Sequence, residues 1–153
     1  MNGFLLDTNV ISMLSPSRSD ASKQFLDWLE CIDGEGRLFV SAVTVVEIEK
    51  GIALLEHKGA TAKAASLRAW LIGLITTYDD KILGLDSASA TFAGQLEAKA
   101  IAAGHNSGMA DAIIAGIAKA HNLTIVTCNT KHFLPFGIDV ASPDEAVATG
   151  QSK

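Results

Sequence analysis

Short apolar runs alternate along the chain with longer segments of helical period. The short runs predict strands at residues 4–6, 38–40, 82–85, 124–127 and 138–140. The longer segments, rich in Ala and Leu, predict helices at residues 19–31, 44–57, 61–78, 87–103 and 109–121. Strands that alternate with helices are typical of an α/β domain with a mainly parallel central sheet.

Length and composition favour one folded domain. The chain has 153 residues and no linker rich in Pro, Gly or Ser, so we expect a single domain at 1–148 and a flexible C-terminal tail at 149–153. Hydrophobic residues make up 48% of the chain, which excludes intrinsic disorder, and the densest apolar stretch, 70–75, is too short to span a membrane. Two cysteines and an N-terminus without a signal-peptide pattern predict a cytoplasmic protein.

The charge balance restricts how the chain can meet nucleic acid. There are 12 Lys and Arg residues against 17 Asp and Glu residues, which gives a formal net charge of −5. A protein that binds nucleic acid by neutralising phosphates alone is normally basic. The composition therefore argues against a DNA-coating role, and it permits a metal-dependent enzyme.

Several polar residues stand where predicted strands end or helices begin. Asp7 directly follows the first strand, and Asn129 follows a later one. Glu47 and Asp111 lie in the first turns of two predicted helices. Open α/β sheets bind ligands in the crevice outside the carboxyl ends of their strands. We therefore expect these four side chains, which are distant in sequence, to converge on one crevice.

Each carboxylate also has a purely structural explanation, which the sequence leaves open. Asp7 suits a helix N-cap, Thr44 and Glu47 have the spacing of a capping box, and Asp111 is favourable near a helix N-terminus. If the three carboxylates meet, each pair repels by about 4 kcal/mol at 4 Å and an effective dielectric near 20. Mg²⁺ or Mn²⁺ would relieve that repulsion and would support phosphodiester hydrolysis.

Four sequence blocks carry a family resemblance. They are LLDTNVIS at 5–12, SAVTVVE at 41–47 with Gly51 after it, ADAIIA at 110–115, and IVTCNTKHF at 125–133. In this order and spacing they resemble PIN-domain proteins, and more narrowly the ribonuclease toxins of the VapC/FitB type from bacterial type II toxin–antitoxin pairs. The resemblance extends over residues 4–140, nearly the whole chain.

The resemblance implies both a fold and an activity. The fold is a PIN-like α/β/α sandwich with a mainly parallel central sheet of about five strands. The activity is endoribonuclease cleavage that depends on Mg²⁺ or Mn²⁺, with Asp7, Glu47 and Asp111 as the catalytic and metal-binding triad. Thr8 matches the common Asp-Thr-Asn turn, as an accessory residue that orients Asp7 or a metal-bound water.

The resemblance also implies partners. These are an RNA substrate, a second copy of the chain in a homodimer or a toxin–antitoxin hetero-oligomer, and a cognate antitoxin that blocks the acidic pocket. Operator DNA is expected only through the antitoxin. Lys50 and Arg68, on the helices 44–57 and 61–78, are candidates to flank the RNA path, with ordinary solvated surface charge as the alternative.

The chain departs from the family pattern at the last block. Asn129 and His132 stand at the two positions where the family often has a fourth acid, and Cys128 stands where an Arg is common. Asn129 retains an amide that can hold a metal-bound water, as an accessory residue. Two alternatives to a toxin nuclease follow: a catalytically weak PIN module that binds a partner protein, and a PIN nuclease of RNA processing without an antitoxin.

Overall fold

The computed structural model describes residues 2–18 and 20–151, and a five-stranded sheet lies at their centre. Its strands are β1 (Phe4–Leu6), β2 (Leu38–Ser41), β3 (Ile82–Leu83), β4 (Thr124–Val126) and β5 (Val140–Ala141). The spatial order is β3-β2-β1-β4-β5, and every pairing is parallel. Leu6 at the end of β1 pairs with Val40 on one side and Val126 on the other. The predicted parallel α/β sheet is confirmed.

Helices connect the strands and cover the sheet. In the described residues they are α1 (Thr8–Met13), α2 (Lys23–Gly34), α3 (Ala42–His57), α4 (Thr61–Thr77), α5 (Ser87–Ala102), α6 (Met109–Ala120), α7 (Thr130–Phe133) and α8 (Pro143–Gln151). The five long helices were predicted, whereas α1, α7 and α8 were not. None of the helices in the described ranges is long and apolar enough to cross a bilayer.

Most predicted boundaries lie within two residues of those in the structure, and two segments differ by more. The second helix starts at Lys23 instead of residue 19, because the side chain of Ser22 caps it by accepting the N–H of Phe25; residue 19 lies outside the described residues. The expected tail at 149–153 overlaps α8, which continues to Gln151. Residues 152 and 153 lie outside the described part of the chain.

The sheet separates two hydrophobic cores. Leu6 belongs to the core that α1, α2, α3 and α4 cover, whereas its neighbour Leu5 belongs to the core under α5 and α6. Successive side chains of a strand point to opposite faces, so β1 contributes to both cores. Both leucines are almost completely buried, as is typical of a parallel sheet with helices on each face. The central strand is therefore held from both sides, and the residue after it has a fixed position.

Helices α5 and α6 approach each other closely at Gly116. A Cβ atom added there would lie 2.5 Å from the backbone oxygen of Ser89 and 2.8 Å from the Cβ of Ala93. Backbone atoms cannot move aside as a flexible side chain can. The absence of a side chain at Gly116 therefore sets the spacing between these helices.

We expect Gly116→Ala to lower the free energy of unfolding by about 1–3 kcal/mol, because the added methyl overpacks a closed interface. Urea unfolding measures the change. The matched control is Gly73→Ala on α4, where nothing lies within 4 Å of an added Cβ. That variant should gain up to about 1 kcal/mol from helix propensity. Equal effects of the two substitutions would contradict the close packing.

Candidate active site

Asp7 lies at the carboxyl end of the central strand and is 6% exposed. It is the N-cap of α1: its backbone is extended, and its Oδ1 accepts the N–H of Thr8 at 2.8 Å. The N-cap explanation of Asp7 is therefore confirmed. The N-cap contact uses only one of the two carboxylate oxygens, because the second oxygen, Oδ2, faces a different partner.

That partner is Thr127, a fully buried residue directly after β4. Its hydroxyl donates to Asp7 Oδ2 at 2.8 Å, and accepts the N–H of Asn129 at 3.0 Å and the side-chain amide of Asn9 at 3.4 Å. A threonine hydroxyl has one proton and two lone pairs, so all its capacity is used. The Asp7 carboxylate is thus fixed from both adjoining elements.

Glu47 is held by a different set of contacts from those predicted. Helix α3 begins at Ala42, and Ser41 caps it by accepting the N–H of Val43 at 3.0 Å. The predicted capping box of Thr44 and Glu47 is therefore wrong, because the helix starts before Thr44.

Glu47 instead contacts the first turn of α1. The Thr8 hydroxyl donates to Glu47 Oε1 at 2.6 Å and lies 3.0 Å from the hydroxyl of buried Thr44. Because the single Thr8 proton is directed to Glu47, Thr44 donates to Thr8. The side chain of Thr8 therefore orients Glu47, while its backbone binds Asp7.

Asp111 brings the third carboxylate from the first turn of α6. The pKa of Asp111 is raised to about 6, chiefly by burial; repulsion from Asp7 and Glu47 adds to the increase, and the attraction of His132 opposes it. The imidazole Nδ1 of His132 lies 3.8 Å from Asp111 Oδ2.

The pKa of Asp7 is raised as well, chiefly by burial. Glu47 adds to the increase, and the hydrogen bonds from Thr127 and Thr8 oppose it. The three predicted carboxylates thus lie close enough to repel one another. Within the described ranges, no three Asp, Glu, His or Cys side chains form a ready-made metal site, so the carboxylates do not make a closed coordination shell.

Comparison with known proteins decides the family. A model of the PIN domain matches residues 4–134. The chain belongs to the PIN-domain family. The three carboxylates near the carboxyl ends of its parallel strands therefore belong to a PIN domain.

Individual relatives match nearly the whole chain. Toxin FitB of Neisseria gonorrhoeae is 33% identical and covers 91% of this chain and 96% of its own length. The tRNA(fMet)-specific endonuclease VapC of Shigella flexneri is 28% identical over 85% of this chain and 89% of its own. A crystal structure of FitAcB from N. gonorrhoeae superposes with a TM-score of 0.78 at 33% identity, and covers 92% of this chain and 97% of that chain.

The remaining predicted residues lie around the PIN-domain crevice or on the flanking helices. Asn129 is exposed at the start of α7, and its backbone N–H, not its side chain, takes part in the network around Asp7. Lys50 is exposed on α3. Arg68 on α4 forms ion pairs with Glu49 and Glu56 of α3, so its guanidinium already links two helices. A role of Lys50 and Arg68 in RNA binding stays a prediction.

Two residues of this network, Thr127 and Asn9, were not predicted from the sequence. Both lie inside the family blocks, and Thr127 is a polar residue at the end of an apolar run, which was the available signal.

A larger cavity, of about 330 Å³, lies between α5, α6 and the segment before β5 and is lined by Lys99, Lys119 and Asp139. None of the three carboxylates lines that cavity.

We expect Asp111→Asn to stabilise the metal-free protein at neutral pH. The folded pKa of about 6 lies above the ordinary value of 3.8, so the native state binds the proton more tightly and stability falls as pH rises from about 4 to about 6. The variant removes this loss. After allowance for solvent screening and for the lost helix-terminus interaction, the gain at pH 7.5 in EDTA should be about 1–2 kcal/mol, and it should vanish near pH 4.

Urea unfolding at both pH values measures this difference. Asp86→Asn is the control with the opposite sign: hydrogen bonds from Ser89 hold the pKa of Asp86 below its ordinary value, so its contribution is lost as pH falls. A loss of stability in Asp111→Asn at pH 7.5 would contradict the raised pKa of Asp111.

Proposed function

We propose that this PIN domain is an endoribonuclease dependent on Mg²⁺ or Mn²⁺, and the toxin of a type II toxin–antitoxin pair. The observation that carries the proposal is the convergence of Asp7, Glu47 and Asp111 from three separate elements. Burial, together with their mutual repulsion, raises the pKa of Asp7 and Asp111 and creates a demand for a cation. A site built only for stability would not bring three acids together.

The donor set fits a hard divalent cation. Asp7, Glu47 and Asp111 would hold it through carboxylate oxygens, which are the ligands that Mg²⁺ and Mn²⁺ prefer. When bound, the ion would supply an activated water and stabilise the leaving oxygen of a phosphodiester. Asn129, at the rim of the crevice, would hold a water through its amide.

The protein residues supply position and charge. Thr127 and the Thr8 N–H keep the Asp7 carboxylate in one orientation, and the Thr8 hydroxyl does the same for Glu47. Fixed groups of this kind cost no reorganisation when the reaction occurs. Thr8 and Thr127 are thus positioning residues, and the three acids are the catalytic residues.

The relatives support each part of the proposal to a different extent. FitB is named a toxin, and VapC is named a tRNA(fMet)-specific endonuclease. By extension from these relatives, the proposal gives this chain an RNA substrate and a cognate antitoxin as its inhibitor. With a net charge of −5, the chain is a poor DNA-binding protein by itself, so operator DNA would be reached only through the antitoxin. A homodimer is part of the same proposal.

One observation favours a second candidate function. His132 and Asn129 occupy the positions of the fourth acid, and His132 faces Asp111. A chain with a weakened metal site would act as a module that binds a partner protein.

We expect purified, antitoxin-free protein to cut total RNA into discrete fragments with Mg²⁺ or Mn²⁺ and not with EDTA. Asp7→Asn should reduce cleavage by about 100-fold or more, because it removes a fixed charge from the reacting centre. Asp79→Asn, which changes an exposed acid outside the site, is the matched control and should cleave normally. A folded wild-type protein that does not cleave RNA would favour the binding module.

The RNA path is tested best at Lys50. Arg68→Glu would break the pairs with Glu49 and Glu56, so it would mix RNA binding with stability. We expect Lys50→Glu to raise KM for RNA about 2–5-fold at low salt and less at high salt, as for one phosphate contact. Lys23→Glu on α2 should leave KM unchanged. An unchanged KM in Lys50→Glu would show that Lys50 is an ordinary solvated surface charge and does not contact the RNA.

A further inference from the structure

A cavity of about 260 Å³ lies between α1, α3 and α4, directly beside the carboxylate crevice. Thr8 and Glu47, the hydrogen-bonded pair of the proposed site, form part of its wall. A molecule in this cavity would therefore lie next to the groups that position the reaction. The cavity is continuous with the site, in contrast to the larger cavity near Lys99.

The wall of the cavity combines an aromatic face with cations at its edge. Trp70 and Leu67 of α4 form an apolar side, and both are only partly buried. Arg18 and Lys63 are exposed and line the same cavity. Arg18 pairs with Asp20, whereas Lys63 has no ion pair among the residues that the structure describes. An apolar ring beside a free ammonium suits a ligand with a flat base and a phosphate.

The size of the cavity indicates a small occupant. Pockets for drug-sized ligands measure about 300–1,000 Å³, and this one is slightly smaller. An amphipathic helix needs a longer groove, with anchors at successive turns. One nucleotide at the mouth of a nuclease site needs only the space of its base, with its phosphate outside near the cations.

Gly51 gives direct access to this space. It lies inside α3 and lines the cavity, and nothing lies within 4 Å of a Cβ added there. Internal packing therefore does not require glycine at this position. A larger side chain at residue 51 would be accommodated by the fold and would occupy the cavity.

We propose that this cavity binds one nucleotide of the RNA substrate beside the scissile phosphate. Its base packs on Trp70 and the apolar wall, and its phosphate lies near Lys63. The inference rests on the proposed ribonuclease function, because it takes RNA as the ligand. The preference for the nucleotide next to the cleavage site would then depend on Trp70, Lys63 and the open position at Gly51.

The first test is a pair of glycine substitutions. Gly51→Leu fills the cavity, and Gly73→Leu makes the same change in α4 at a position that also has open space but does not line the cavity. Both are measured for kcat and KM on an oligoribonucleotide that contains the preferred cleavage site. We expect Gly51→Leu to raise KM about tenfold, the loss typical of one stacked base, with kcat changed less. Gly73→Leu should match the wild type.

The second test does not depend on cleavage. Trp28 is buried in the core, so Trp70 is the tryptophan that a ligand in the cavity can reach. In EDTA, titration with AMP, CMP, GMP or UMP should quench the fluorescence of the wild type and of Gly73→Leu. The quenching should be lost in Gly51→Leu and in Trp70→Phe.

The outcomes separate this inference from the proposed function. Wild-type cleavage with equal KM values in Gly51→Leu and Gly73→Leu, and with no quenching, would overturn the nucleotide site and leave the ribonuclease intact. If the wild type does not cleave RNA, the proposed ribonuclease function is wrong. The fluorescence quenching alone would then show whether the cavity binds a nucleotide. If Gly51→Leu kept its KM but no longer bound a cognate antitoxin, the cavity would be a protein-binding groove and the inference would be wrong.

Discussion

The buried carboxylate of Asp7 is the constraint on which the rest of the site depends. A carboxylate at 6% exposure is stable only if hydrogen bonds replace its hydration, and both of its oxygens have a donor. One donor is the first N–H of α1, and the other is the hydroxyl that follows β4. Both donors exist only when β1 lies beside β4 and α1 begins at the end of β1. The site and the centre of the sheet therefore form together.

Structural and chemical roles are combined in the same side chains. Asp7 caps a helix with one oxygen, and its carboxylate charge also interacts with that of Glu47, so the capping explanation and the metal-ligand hypothesis do not exclude each other. Thr8 likewise links α1 to α3 while it orients Glu47. Because these bonds hold the fold as well as the acids, the carboxylates are presented in fixed positions even though they repel. Asp111 differs, since its carboxylate has His132 nearby at 3.8 Å and no short hydrogen bond holds it among the described residues.

The features that the sequence predicts are those with a local cause. Apolar runs and helical period locate the strands and the five long helices, and the end of an apolar run places Asp7. Helix α1 is too short to establish a period, and it was missed. The spacing of Thr44 and Glu47 suggested a capping box because the sequence does not show that β2 passes directly into α3 at Ser41. Thr127 could not be assigned at all, since its role arises only from the adjacency of β1 and β4.

The negative charge of the chain is compatible with the proposed metal-dependent chemistry. Without a cation, three converging carboxylates would repel an RNA phosphate as they repel one another, and a proton on Asp111, whose pKa is raised to about 6, would relieve part of this repulsion only at or below about pH 6. A divalent ion held by Asp7, Glu47 and Asp111 would offset most of their charge and would supply a cationic centre that attracts the phosphate. In the proposed arrangement the metal would contribute to both substrate binding and reaction, and a basic surface would not be required. An acidic chain would therefore be able to act on RNA if cations such as Lys63 attracted the RNA strand and the metal supplied the remaining positive charge.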